Sequence, residues 1–318
     1  MPRPPAILDC DPGHDDAVAI VVAARHTHLH GIATVAGNAP LERTTYNARV
    51  MRELLGLDVE VHSGAERPLV AEPRDAGFVH GASGLDGADL PVPTRAVDGT
   101  DAVRYIIEEC RSNEGMWLIP VGPLTNIALA LRAAPDLHRR IAGISLMGGG
   151  TFGNREAVAE FNIWADPEAA AVVFGAGVPI VMAGLDVTHQ FVATPEVIDR
   201  IRAIPGRLAG VLAQLFAYFS ANYITRHDAG LAGAAVHDPL AVLALTHPEL
   251  FVRRARNVRV ETRGELTRGM TVIDQRTITD RPVANCDVLV AVDADQAWDI
   301  VLESVVAFGG AGGATAPA

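Results

Sequence analysis

Lysine is absent from this chain; all 26 of its basic residues are arginine. Arginine stays protonated at any physiological pH and cannot form a Schiff base, which excludes pyridoxal-phosphate chemistry on this polypeptide. A Walker-type phosphate loop, which needs its lysine, is excluded as well. Cysteine is scarce. Cys10, Cys110 and Cys286 are far apart and make no C-x-x-C pair, so neither a disulfide framework nor a zinc site is indicated. No apolar run is long enough to span a bilayer. The net charge is −12 and no basic patch stands out, so nucleic acid is not an expected partner. The start, Met1-Pro2-Arg3-Pro4-Pro5, shows no secretory pattern, and the expected location is cytoplasmic.

With 318 residues, about half of them apolar, the chain can bury a large core. Strand-like apolar runs alternate with helical patterns. Strands are expected over 5–8, 29–35, 59–62, 116–121, 141–147, 178–183 and 287–292, and helices over 41–55, 100–110, 123–133 and 295–308. Three further helices open with a capping residue followed by proline, at Asp166-Pro167, Thr194-Pro195 and Asp238-Pro239. Segments 251–262 and 270–274 read as a small antiparallel, hairpin-like addition. Repeated βα units imply an α/β fold: one domain over 1–308 with a mainly parallel, Rossmann-like sheet covered by helices. The Gly/Ala-rich tail over 309–318 is expected to be disordered, and the Gly/Pro-rich stretch 63–99 to be a functional loop.

Ligands of such folds bind beyond the carboxyl ends of the strands. There the first strand runs into Asp9-Cys10-Asp11-Pro12-Gly13-His14-Asp15-Asp16. One acidic residue would simply cap a helix and suit its dipole. Four carboxylates around one Pro-Gly turn repel one another, and a cation among them relieves that repulsion. A hard-metal site is the expectation. Asn38 ends the second strand, either as a turn residue or as a ligand for a hydroxyl. Val121, before Gly122-Pro123, has a carbonyl without an obvious ladder partner, which suits calcium or a capped end equally. Glu160 and Asn162, two apart, would face the same way in an extended segment and grip sugar hydroxyls; Phe161 and Trp164 read as core. Asp238 alone is a plain N-cap and His237 a turn residue.

Taken in order, DCDPGHDD at 9–16, TVAGN at 34–38, PVGPLTNIA at 120–128, LMGGG at 146–150, AEFNIWADPEAA at 159–170 and HDP at 237–239 resemble the motifs of the inosine-uridine-preferring nucleoside hydrolases, over all of the chain but its tail. The resemblance implies a Ca²⁺-dependent ribonucleoside hydrolase. Asp11, Asp16, Asp238 and the main-chain carbonyl of Val121 would bind the ion, and Asp11 would also be the general base. Asp15, Asn38, Asn154, Glu160 and Asn162 would hold the ribose, with Met147 lining the pocket. His80 and His237 would lie near the base, and His227 or His237 could protonate it as it leaves. A homo-oligomer, dimer or tetramer, is implied too. Pyrimidine-preferring relatives carry a glutamine and a tyrosine where this chain has Thr225 and Ala229, which points to purine acceptance or broad preference. Tyr223, Arg226 and His227 are candidate substitutes, and a mobile exposed loop is the competing reading of that stretch.

Two rival functions share parts of this pattern. A haloacid-dehalogenase-like Mg²⁺ phosphohydrolase also begins with a strand ending in Asp-x-Asp, but that class normally orients phosphate with a lysine. A non-catalytic nucleoside- or sugar-binding protein would share the polar strand ends without turnover.

Overall fold

The computed structural model describes residues 3–226 and 230–309. His227 and the tail beyond 309 therefore lie outside the described residues. The first half contributes strands β1 (Pro5–Cys10), β2 (His28–Thr34), β3 (Glu60–Ser63), β4 (Trp117–Pro120), β5 (Gly143–Met147) and β6 (Ile180–Ala183). Then come β7 (Val192–Ala193), β8 (Ala234–Ala235), β9 (Phe251–Arg256), β10 (Val258–Val260), β11 (Thr271–Ile273) and β12 (Cys286–Val292).

Eight of these form one sheet in the order β3-β2-β1-β4-β5-β6-β12-β9. Every neighbouring pair is parallel except β9 with β12. Strands β5 and β6 are buried along their whole length, as is β1 from its second residue. That is why their sequences read as continuous apolar runs rather than as alternation. Two apolar layers account for it. One face packs against helices His14–His26, Arg207–Arg226, Pro239–Thr246 and Ala294–Gly309; the other packs against Ala102–Ser112, Thr125–Ala133 and Pro167–Phe174.

From β1 the chain winds outward both ways, to β2 and β3 on one side and to β4, β5 and β6 on the other. The strand order therefore reverses between β1 and β4, and a crevice opens at their carboxyl ends. Asp9 pairs with Pro120 in this register, so the acidic turn after β1 and Val121 after β4 meet at that crevice.

Three features differ from the sequence reading. Segment 251–262 is not one strand of a hairpin: β9 joins the main sheet as its antiparallel edge, and β10 pairs with β11 alone. Strands β7 and β8 pair across the crevice region, each too short to leave an alternation pattern. The helix Arg207–Arg226, 20 residues long, occupies a stretch to which the sequence reading assigned no element, and it takes in Thr225 and Arg226 from the start of the expected loop. Its buried face is Leu208, Leu212, Leu215, Phe216, Phe219 and Tyr223, spaced at three to four residues, and that spacing was the signal.

Candidate active site

The turn after β1 is built around its own carboxylates. The Asp16 side chain accepts from the Gly13 N–H at 2.8 Å and the Asp11 N–H at 3.1 Å, closing the turn at the start of helix His14–His26. Asn38 braces it from β2. Its N–H donates to Asp11 Oδ2 at 2.6 Å, and its amide donates to the Asp11 carbonyl at 3.2 Å and to Asp16 Oδ2 at 3.0 Å. Asn38 is thus the tie between two strand ends as well as a pocket residue. A Cβ on Gly37 would fall 2.1 Å from Asp11 Oδ2, and one on Gly122 would fall 2.4 Å from Asp11 Oδ1. Only glycine at both positions lets the ends of β2 and β4 close on this carboxylate.

Asp238 reaches the cluster from the far side. The Asp166 and Thr194 side chains cap their helices, accepting from Ala169 and Val197, but Asp238 has helical backbone angles and makes no side-chain cap bond. Its carboxylate is turned to the cluster instead. Oxygens of Asp15, Asp16 and Asp238 lie within 4.8 Å of one another, all buried. Asp11 is outside that tight set, joined to it through its N–H bond to Asp16. Asp11 Oδ1 is fully buried and has no hydrogen-bond partner among the described residues. The Val121 carbonyl accepts from the Asn162 amide at 2.8 Å. Its second lone pair leaves room for another partner.

Burial governs the protonation of this cluster. It pushes Asp15 up to about 7, with repulsion from Asp16 adding to it. Burial likewise raises Asp16, and raises Asp11 well above the usual carboxylate range, reinforced by Asp16. Asp238 is raised well above that range by burial and then by Asp15, Asp16 and Asp11. Beneath them Asp9 is held at about 7 by burial, although Asn126 donates to its Oδ1 at 2.7 Å. Packed carboxylates driven toward protonation, two of them (Asp9 and Asp11) with an orphaned oxygen, all-oxygen donors and no soft ligand, fit a hard divalent cation.

A pocket of roughly 540 Å³, open mouth included, faces this cluster. Its wall gathers Asp15, Asn38, His80, Val121, Met147, Asn154, Glu160, Asn162, His237 and Asp238 from the predicted set. Asp11 and Asp16 are not on the wall; they are buried behind it. Glu160 and Asn162 do share a face, but not in an extended segment. Glu160 caps the short helix Phe161–Ala165, accepting from the N–H groups of Asn162 and Ile163, while its Oε2 also accepts from Gly149 at 2.9 Å. Burial lifts this carboxyl to about 7. Asn154 Oδ1 accepts from the Phe161 N–H at 3.0 Å, which orders the loop before that helix. Asn162 Nδ2 approaches the Met147 sulfur at 3.3 Å.

Two imidazoles also line the pocket. His237 Nδ1 lies 2.7 Å from Thr188 Oγ1, its Nε2 lies 3.3 Å from the Tyr223 hydroxyl, and its N–H donates to Asp15 Oδ2 at 3.2 Å. His80 is buried and also lines the pocket, its ring centre 5.2 Å from that of Phe219. The sequence reading missed Phe219, Val79 and Arg155, which also line the pocket. Phe161 and Trp164 are half-buried, not core: Phe161 lines the pocket, and the Arg74 guanidinium sits 3.8 Å from the Trp164 ring centre. Thr225 is exposed near the end of the long helix, its hydroxyl donating to the Ala221 carbonyl, and is not part of the wall.

An open α/β sheet with a buried carboxylate cluster behind a pocket at its switch point is the arrangement of a small-molecule site rather than of a nucleotide loop or a thiol centre. The chain belongs to the inosine-uridine preferring nucleoside hydrolase family, whose model matches residues 6–299. It is an enzyme of that class. It is 44% identical over 309 residues, 96% of each chain, to the pyrimidine-specific ribonucleoside hydrolase RihA of Shewanella sp. (strain MR-7). It is equally 44% identical over 305 residues to the protein of the same name from Escherichia coli (strain SMS-3-5 / SECEC), covering 94% of this chain and 97% of that one. Among solved structures, the purine-preferring ribonucleoside hydrolase from Gardnerella vaginalis superposes with a TM-score of 0.89 at 33% identity, covering 96% of this chain and 98% of that one. The phosphohydrolase and non-catalytic readings are thereby set aside.

Proposed function

We propose that this enzyme hydrolyses the N-glycosidic bond of ribonucleosides to free base and ribose, using Ca²⁺ held by Asp11, Asp16, Asp238 and the Val121 carbonyl. The observation that carries the reading is the buried carboxylate cluster facing a pocket walled by Asn38, Glu160 and Asn162. When bound, the ion supplies fixed positive charge that orders water and ribose hydroxyls beside the carboxylates. Asp11 takes a proton from the attacking water as its oxygen bonds to the anomeric carbon. The C–N bond breaks with its electron pair leaving on the base. The developing oxocarbenium charge is favoured by the carboxylates and amide oxygens around the sugar. His237, held by Thr188 and Tyr223, returns a proton to the departing base; His80, also a pocket residue, faces the base, and His227 is the second candidate donor. Asp15, Asn154, Glu160 and Asn162 orient the ribose, with Met147 packing beneath it.

Pyrimidine ribonucleosides are the proposed substrates, because relatives with that named specificity share 44% of their residues with this chain across nearly its whole length. The opposite expectation rested on Thr225 and Ala229; Thr225 does not line the pocket, and Ala229 lies outside the described residues. The family resemblance also leads us to propose a homo-oligomer, dimer or tetramer, which sedimentation of the purified chain would decide. The central test is a base-release screen with inosine, adenosine, uridine and cytidine, with added Ca²⁺ and after chelation. Uridine and cytidine should lead, and chelation should abolish turnover. Full activity after complete chelation would overturn the metal assignment, and a lead by inosine or adenosine would overturn the base preference.

A further inference from the structure

Asn47 does not line the pocket, yet its side chain joins two segments that build the site. It lies on the helix Leu41–Leu54 and is buried. Its Nδ2 donates to the Pro12 carbonyl at 2.9 Å and to the Ser83 carbonyl at 2.8 Å. Pro12 belongs to the acidic turn, between Asp11 and the pair Asp15-Asp16. Ser83 belongs to the segment that follows Val79 and His80, both pocket residues.

The orientation of this amide follows from chemistry. A carbonyl oxygen only accepts, so the nitrogen faces both partners, and both of its protons are used. The helix that carries it is fixed to the end of β2. Thr44 Oγ1 donates to the Val35 carbonyl at 2.9 Å, and Thr45 Oγ1 lies 2.8 Å from Thr34 Oγ1. That same strand end leads to Asn38, which holds Asp11 and Asp16. Asn47 therefore stands on the frame that holds the carboxylates. The two segments also abut directly. A Cβ on Gly13 would fall 2.7 Å from His80 Nδ1. One on Gly84, where φ is +83°, would fall 3.0 Å from Asn47 Nδ2 and 3.4 Å from the Pro12 oxygen. Close-packed groups transmit displacement, so a shift of the turn is felt across this contact. His14 Nε2, 2.9 Å from the Asp86 carbonyl oxygen, adds a second tie further along the segment.

We infer that Asn47 is a positioning residue that couples the acidic turn to segment 80–86, so that a divalent cation bound at the turn also orders this part of the pocket. The inference rests on the reading that Asp11 and Asp16 hold Ca²⁺. An ion that draws these carboxylates together sets the Pro12 carbonyl between them. The amide carries that setting to the Ser83 carbonyl, and so to the residues that follow His80. No charge is needed for the link; one nitrogen with two protons bridges two main chains.

The test is backbone hydrogen exchange over residues 80–86 in the full-length chain, with and without Ca²⁺, beside calorimetric titration of the ion. Wild type should bind Ca²⁺, and the ion should slow these amides by about 5–150-fold, the usual size of coupling between sites. Asn47→Leu keeps the shape closely and removes both donors. It should still bind Ca²⁺ but lose at least half of that slowing on a logarithmic scale. Gly84→Ala loosens the same contact from the other side, since its left-handed backbone and the nearby amide leave no room for a methyl group. It leaves Asn47 and the core in place, should show the same loss, and decides the matter where Asn47→Leu does not fold. If either folded variant keeps more than half of the slowing, or if Ca²⁺ binds wild type without slowing these amides, the inference falls while the calcium reading stands. If wild type binds no Ca²⁺, that reading fails and the inference fails with it.

Discussion

At the scale of single residues, the site is a contest between repulsion and geometry. Asp11 is clasped by Gly37 and Gly122, receives the Asn38 N–H, and still has one buried oxygen without a partner. Asp11→Asn preserves shape and removes the base. Turnover should drop by about 10²–10⁴-fold with circular dichroism unchanged, and a folded variant near wild-type rate would refute the role. The sugar side gives a second expectation. Sites built to bond a hydroxyl reject the analogue without it by about 10⁴–10⁵, so 2′-deoxyuridine should be cleaved far more slowly than uridine. Comparable kcat/KM for the two would remove the ribose assignment of Asp15, Asn38, Glu160 and Asn162. The residue pattern was largely legible, because paired Asp residues around a Pro-Gly turn have few uses at a buried strand end. What it hid was partnership: nothing in the order of letters says that Asn162 takes the Val121 carbonyl, or that Asp15 rather than Asp11 joins Asp16 and Asp238 in the tight set.

At the scale of elements, caps and strand ends place the chemistry. Asp166 does more than start its helix. It accepts from the Ala169 N–H at 3.0 Å, from the Leu69 N–H at 2.9 Å and from the Thr125 hydroxyl at 2.7 Å, so it joins two helices and the long connection after β3. Asp166→Ala strands these donors and should cost at least about 2 kcal/mol in urea unfolding. A loss within about 0.5 kcal/mol, typical of surface positions, would show that water replaces the carboxylate freely. The Asp166-Pro167 and Thr194-Pro195 starts could be read in advance because capping is local. The same signal at Asp238-Pro239 marked a helix start but concealed an Asp whose carboxylate does not cap it. The helix Arg207–Arg226 was overlooked because it lacks such a start signal, although its apolar face repeats with helical spacing.

At the scale of the molecule, the sheet order brings distant segments together and sets how stability responds to pH. His26, near the end of the first helix, has its Nε2 2.9 Å from Ser304 Oγ on the last helix, and its ring meets that of His247 edge-on at 4.8 Å. Burial lowers its pKa to about 4, with His247, Arg25 and Arg3 adding to the effect. Between about 6.5 and 4 the unfolded chain therefore binds a proton that the folded chain refuses. The contribution of His26 should fall as pH drops through that window and change no further below it, opposite in sign to that of the buried carboxylates raised to about 7. Urea melts of wild type and His26→Gln at pH 7.5 and 5 should show a smaller acid penalty in the variant; equal penalties would remove His26 from the account.

The bond from the His237 N–H to Asp15 links residues 222 positions apart. During synthesis at about 5–20 residues per second, the first carboxylates leave the ribosome on the order of tens of seconds before their last partner exists. Until then the nascent chain carries an acidic turn with no Asp238 beside it. Completion of the site is therefore a late event in the birth of the protein, and function is withheld until six of the eight strands of the main sheet have been made.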